Sequence, residues 1–362
     1  MSTKTKILIT GATGYIGGSI LTRLLQRSDL SQFDIRVLIR SAEKARKLED
    51  LGLGLKPVMG SHTDESVMVK ATSEVDVVIA SANSESLVAA QLTLKGMKKR
   101  FEETGKPPIF IHTSGTGLYI EFAGGMHSNA VVYDDANPDQ IETIAPTQPH
   151  RNVDLEILAA DTENYVKTYI VLPSTVYGIA SGPLFDAEIS NRHSVQVPAL
   201  IKAAFARTPP QGGTIGEGKN VWPNVEIHEL ADLYNVLLDS ALTSQNPQFP
   251  GHGREGIYNA VNGEHNFHQL AEVISQALVS LGLGEDPSSL TFSAEEEQKF
   301  FGPFAQFFGT NSRCLATRAK SLGWKPVKTT KELLASVKPE IEALVASGKT
   351  GLPDISAHVN KD

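Results

Sequence analysis

Three glycines spaced three apart, Gly11, Gly14 and Gly17, follow a short apolar run, Ile7-Leu8-Ile9. Glycines at this spacing can hold a bulky anion against bare backbone. Gly11 can take the angles of a tight turn, Gly14 lets an anion approach the main chain, and Gly17 lets the next helix pack closely on a sheet. That helix carries Ile20, Leu21, Leu24 and Leu25 on one stripe. Its N-terminus offers unpaired N–H groups and a partial positive charge, which suits a pyrophosphate. Thr10, Thr13, Tyr15 and Ile16 complete the loop. The plainer alternative is a structural turn with no ligand.

A second signal follows the strand Ile35-Arg36-Val37-Leu38-Ile39. In dinucleotide-binding sheets this position faces the adenosine ribose, where an acid accepts from the hydroxyls. Arg40 stands there instead and offers planar donors to a 2′-phosphate, with Ser41 and Lys44 as helpers. The expectation is NADP(H) in preference to NAD(H). A solvated basic face is the alternative, since Glu43, Glu49 and Asp50 interleave. Ala80 and Ser81, small residues at the end of the strand over 75–80, leave room for the diphosphate and ribose.

The stretch Thr10-Gly11-Ala12-Thr13-Gly14-Tyr15-Ile16-Gly17 resembles the cofactor loop of the extended short-chain dehydrogenase/reductases. These include NAD(P)-dependent epimerases, dehydratases and reductases of nucleotide sugars and small carbonyl compounds. Pro173-Ser174-Thr175-Val176-Tyr177-Gly178 resembles the family's Arg-Pro-x-x-Val-Tyr-Gly-Pro, with Leu172 in the Arg place. Leu322-Gly323-Trp324-Lys325-Pro326 resembles its C-terminal Leu-Gly-Trp-x-Pro, so the likeness runs over residues 5–345. It implies that Pro173 and Val176 line the nicotinamide half of the cofactor. It also implies that Ser114, or Thr116 in the same glycine-rich loop, polarises a substrate carbonyl just past the fifth strand. Trp222 falls where a substrate-facing residue is common, though a tryptophan beside a proline serves a core equally well. Arg313 falls where basic residues hold a substrate diphosphate in nucleotide-sugar enzymes.

One departure is plain. The family carries Tyr-x-x-x-Lys, in which the Lys charge lowers the phenol's pKa for proton transfer. None of the eight tyrosines here has Lys four residues on. The matching place holds His150-Arg151-Asn152-Val153-Asp154. In one reading His150 is the proton donor, with Asp154 one helical turn away fixing its tautomer. In the other, the two are a helix-start pair and proton relay is absent, as in atypical families such as the NmrA-type redox-sensing regulators.

These residues need a scaffold, and the chain can supply one. At 362 residues with 41% hydrophobic content it can bury a large core. The pattern of apolar strands alternating with amphipathic helices predicts an α/β fold: a Rossmann-type parallel sheet with helices on both faces, plus a smaller C-terminal substrate domain. Residues 1–180 and about 213–264 are expected in the NAD(P)-binding unit, about 181–212 and 265–350 in the substrate or cap unit, and 351–362 in a tail. The dense phenylalanines over 300–308 are expected in a core, with a hydrophobic pocket or dimer surface as the alternative.

The net charge of −8 argues against nucleic-acid binding. One cysteine, Cys314, excludes an intramolecular disulfide, and no run approaches a membrane span. The acidic stretch Tyr133-Asp134-Asp135 shows no metal-ligand spacing, so no metal is expected. A cytoplasmic setting is the default, and a homodimer is compatible with the pattern. The leading expectation is an NADP-dependent oxidoreductase acting on a small carbonyl or alcohol. The alternatives are a non-catalytic NAD(P)-binding sensor with a protein partner, and a non-redox isomerase, dehydratase or nucleotide-sugar epimerase-like enzyme.

Overall fold

A computed structural model describes residues 4–243 and 251–352. The last ten residues, most of the expected tail, lie outside the described residues. The chain alternates strands and helices from the start: β1 (Thr5–Thr10), α1 (Tyr15–Leu25), β2 (Phe33–Ile39), α2 (Ala42–Asp50), β3 (Lys56–Met59), α3 (Glu65–Ser73), β4 (Val77–Ala80), α4 (Leu87–Thr104) and β5 (Ile109–Thr113). After an irregular stretch come α5 (Arg151–Thr162), β6 (Lys167–Pro173), β7 (Thr175–Tyr177), α6 (Gln196–Phe205), β8 (Val221–Glu226), α7 (Ile227–Thr243), β9 (Ile257–Ala260), β10 (Glu264–Asn266), α8 (Phe267–Ser280) and α9 (Thr330–Ala346).

Seven strands pair in the order β9-β6-β5-β4-β1-β2-β3, all parallel. Helices cover both faces, so the central strands read as continuous apolar runs: Ile7, Leu8 and Ile9 are fully buried, as are Val77, Val78 and Ile79. The strand order reverses between β1 and β4, and a crevice opens outside the carboxyl ends there. The Rossmann-type α/β architecture is the one expected from the sequence.

Two hydrophobic clusters hold the chain together. The first gathers the seven-stranded sheet, α1, α5 and α7. The second gathers α6, α8 and α9 with Phe292, Phe300, Phe301 and Phe308. Phe300, Phe301 and Phe308 are therefore core while Phe304 and Phe307 are half-buried, and Phe292 packs edge-on against both Phe300 and Phe301. Ile215 and Trp222, from the stretch assigned to the dinucleotide unit, pack in the second cluster. A three-stranded sheet, β10-β8-β7, joins the two, with β7 parallel to β8.

The acidic stretch is only partly solvated. Asp135 is buried and accepts from the backbone N–H groups of Arg318, Ala319 and Asn259 at 2.6, 3.1 and 3.0 Å. It pins the start of the short helix Thr317–Ser321 to the sheet. Among the described residues no helix is long and apolar enough to cross a membrane.

Candidate functional site

The glycine loop leaves β1 at Thr10, and each glycine has a distinct steric role. Gly11 has φ +78°, and a Cβ on it would lie 2.4 Å from the Ser81 carbonyl. A Cβ on Gly17 would lie 2.3 Å from the Gly11 carbonyl oxygen. These two glycines let β1, the loop and β4 close up. Gly14 is different: a Cβ there would meet only the Gly11 oxygen, at 3.2 Å. Gly14 is the N-cap of α1 and has no side chain to satisfy the first turn. The N–H groups left over could hold an anion. Ser81 fixes the loop from beside it, its hydroxyl donating to the Thr10 carbonyl at 2.8 Å.

A cleft of about 300 Å³ lies over this loop. Gly11, Thr13, Gly14, Tyr15 and Ile16 line it on one side, with Arg40 and Ser81 further round. Arg40 is exposed and makes no ion pair among the described residues. Its expected helpers are already engaged. The Ser41 hydroxyl caps α2 by accepting from the Lys44 N–H at 3.2 Å, and the Lys44 ammonium donates to the Ile189 carbonyl at 2.7 Å. Tyr15 spends its phenol on the fold, donating to the Gly178 carbonyl at 2.5 Å. Ala80 ends β4, Pro173 ends β6 and Val176 lies inside β7, and none of the three lines this cleft. Sequence reasoning missed Asn191, His193 and Val195, which do. They come from an irregular segment with no motif to mark them.

Past β5 lies a second group of polar side chains. Ser114 is buried, and its hydroxyl donates to Asp154 Oδ2 at 3.0 Å. Asp154 is fully buried, and its other oxygen has no hydrogen-bond partner among the described residues. Burial pushes its carboxyl up to about 6, against the opposing pull of His150, the Ser114 hydrogen bond and Arg151. Among the described residues His150 makes no hydrogen bond or ion pair with Asp154. Its backbone has φ 68°, in the left-handed region, so its side chain leaves the helix face on which Asp154 lies. The one-turn spacing brings two side chains together only when both residues are helical. Instead the imidazole Nδ1 pairs with the Glu85 carboxylate. Nε2 rests on the glycine-rich loop, where a Cβ on Gly115 or Gly117 would lie 2.9 Å from it.

Glu85 was not legible in the sequence, since it sits in a loop before α4 without a motif. Burial raises its carboxyl, but the His150 hydrogen bond and charge outweigh this and leave it below the usual range. Close by, the ring of His112 is buried, with neither nitrogen partnered among the described residues. Burial first, and then repulsion from His150, push it down to about 3. The Thr116 hydroxyl is likewise buried and unpartnered among the described residues.

Two expected substrate residues belong to the fold instead. Trp222 is buried, and its indole N–H donates to the Thr310 carbonyl at 2.9 Å. A ring anchored in a core cannot stack on a substrate. Arg313 grips both oxygens of Glu264, at 3.0 and 2.9 Å, and the Asn129 carbonyl at 2.9 Å. Its guanidinium is not left for a diphosphate. Among the described residues no group of His, Cys, Asp or Glu could hold a metal ion.

The sheet order, the cleft at its switch point and the glycine loop are those of a Rossmann-type dinucleotide-binding fold, and the chain lacks Tyr-x-x-x-Lys. Residues 3–97 match the NmrA-like family. Along nearly its whole length the chain is similar to the oxidase ucsJ of an Acremonium species, at 29% identity over 355 residues, covering 94% of this chain and 98% of the other. A probable pinoresinol-lariciresinol reductase 3 of Arabidopsis thaliana is 33% identical over 96 residues, covering 26% of this chain and 30% of that one. Among solved structures, the UDP-glucose 4-epimerase of Thermus thermophilus in complex with NAD has the same fold, with a TM-score of 0.58 and 17% identity, covering 93% of this chain and 99% of that one.

Proposed function

We propose that this protein is an NADP-dependent oxidoreductase that reduces a small carbonyl, or oxidises the matching alcohol, without a macromolecular partner. The observation that carries this reading is the buried Ser114–Asp154 hydrogen bond beside the His150–Glu85 pair, in the same row of strand ends as the glycine loop. Gly11, Gly14 and Gly17 would let the diphosphate approach the first-turn N–H groups of α1, the Gly14 N–H itself donating to the Gly11 carbonyl at 2.9 Å, and Arg40 would take the 2′-phosphate. The bound nicotinamide supplies or accepts the hydride. Ser114 hydrogen-bonds the substrate oxygen. Asp154 sets what Ser114 can do: as a carboxylate it holds the Ser114 proton, and as a carboxylic acid it donates to Ser114 and frees that proton for the substrate. His150 exchanges the proton through Nε2, while Glu85, not Asp154, fixes its tautomer. The similarity to an oxidase and a reductase supports redox chemistry over epimerisation.

The test is turnover of NADPH and NADH against a panel of aldehydes and ketones. Consumption of the reduced nucleotide is expected, with NADPH preferred. His150→Ala should lower turnover by about a hundredfold while leaving nucleotide binding intact. Nucleotide binding without turnover on any carbonyl would favour the sensor reading. One observation speaks for that reading: the His150 ring is packed on the Gly115–Gly117 backbone rather than standing open in the cleft.

A further inference from the structure

Residues 189–195 lie against the glycine loop and are bound to it. The Ser190 hydroxyl donates to the Ala12 carbonyl at 2.7 Å, and the Asn191 N–H donates to the Thr13 carbonyl at 3.1 Å. The Lys44 ammonium holds the Ile189 carbonyl from the other side. Gly18, outside the glycine motif, makes this approach feasible: a Cβ there would lie 2.6 Å from the Ser190 hydroxyl. Asn191 then folds back on the segment. Its Oδ1 accepts from the His193 N–H at 3.3 Å, and its amide donates to the His193 carbonyl at 2.8 Å. This fixes the backbone of His193, whose side chain lines the dinucleotide cleft.

The ring of His193 is also fixed. Its Nδ1 lies 2.6 Å from Oε1 of Glu340, a residue of α9 whose side chain is only 4% exposed. A carboxylate this buried needs a donor, and among the described residues the imidazole is the one it has. With Nδ1 committed to Glu340, Nε2 is the nitrogen left for a ligand. So a polar ring is held rigidly at the wall of the cleft by an element of the second hydrophobic cluster, opposite the backbone of the glycine loop.

We propose that His193 is a dinucleotide-binding residue that presents Nε2 to the diphosphate–ribose backbone of the nucleotide seated on the glycine loop. The inference rests on the dinucleotide reading of the cleft. It adds that the nucleotide is gripped from both clusters, with Glu340 as the positioning residue. The diphosphate and ribose are common to NADH and NADPH, so His193 serves both alike. Arg40, facing the 2′-phosphate, serves only one.

Fluorescence titration of the full chain with NADPH and with NADH tests this, using wild type, His193→Gln and Arg40→Ala. His193→Gln is expected to weaken both nucleotides by the same factor, about tenfold. Arg40→Ala is expected to weaken NADPH alone. A glutamine can still donate to Glu340, and the neutral double variant His193→Gln/Glu340→Gln removes the buried charge if the single variant melts early. Wild-type affinity for both nucleotides in either folded variant overturns the role of His193 and leaves the dinucleotide site standing. Failure of the wild type to bind either nucleotide overturns both.

Discussion

The hydroxyl of Ser114 and the carboxyl of Asp154 meet at 3.0 Å inside the protein, although forty residues separate them in the chain. This bond puts a buried acid with a raised pKa behind the hydroxyl that sits at the end of β5. The acid cannot be solvated and has one oxygen unpartnered, so its proton is held to about pH 6.

A pH profile follows from this pair. Below about 6 Asp154 is protonated and Ser114 is free to donate; above it the carboxylate retains the Ser114 proton. Carbonyl reduction should therefore fall as pH rises through about 6. Asp154→Asn keeps an N–H donor for Ser114 at every pH, so the fall should vanish from the kcat/KM profile. A profile identical to wild type would disconnect Asp154 from the chemistry.

The same variant should also report on stability. Because the folded pKa lies above the usual carboxylate value of 3.8, the folded state binds the proton more tightly than the unfolded chain. The contribution of Asp154 is greatest at low pH and is lost as pH rises through the window from 3.8 to about 6. Thermal melts at about pH 5 and about pH 8 should show Asp154→Asn gaining on wild type at the higher pH.

His112 gives the opposite sign. Its folded pKa, about 3, lies below the usual 6.5, so the folded ring stays neutral while the unfolded ring takes a proton. Stability from this group is present above 6.5 and is lost as pH falls toward 3. His112→Leu removes both the titration and two unpartnered ring nitrogens. Its melting temperature should rise relative to wild type as pH is lowered from about 7 to about 5, and a constant difference would count against this account.

The glycine loop separates binding from folding. Gly17→Ala would push a methyl to 2.3 Å from the Gly11 carbonyl, so it should destabilise the fold by about 1–3 kcal/mol. Gly14→Ala meets only one atom, at 3.2 Å, and should melt near wild type while losing most nucleotide affinity. Melting curves and titrations on the two variants check both halves. Equal destabilisation would mean Gly14 is structural.

Arg40 can be reversed. It is exposed and unpaired among the described residues, so Arg40→Asp should change stability by less than about 0.5 kcal/mol. A carboxylate there repels a 2′-phosphate and accepts from ribose hydroxyls. The variant should prefer NADH to NADPH, and an unchanged preference would remove Arg40 from the cofactor site.

The sequence by itself determined what depends on local order. A glycine trio directly after an apolar strand fixes a loop and a helix start, because the groups that make them are neighbours in the chain. The parallel sheet follows from strands alternating with amphipathic helices, and Arg40 is placed by following the second strand. Tertiary structure decided the partners. One left-handed residue, His150, broke the one-turn pairing with Asp154, and the two side chains went to Glu85 and Ser114 instead. Trp222 and Arg313 stand near family substrate positions, but burial and Glu264 claimed them for the fold. Hydrogen-bond partners of buried groups are set by whichever long-range neighbours the packing delivers, and a linear pattern carries no record of those distances.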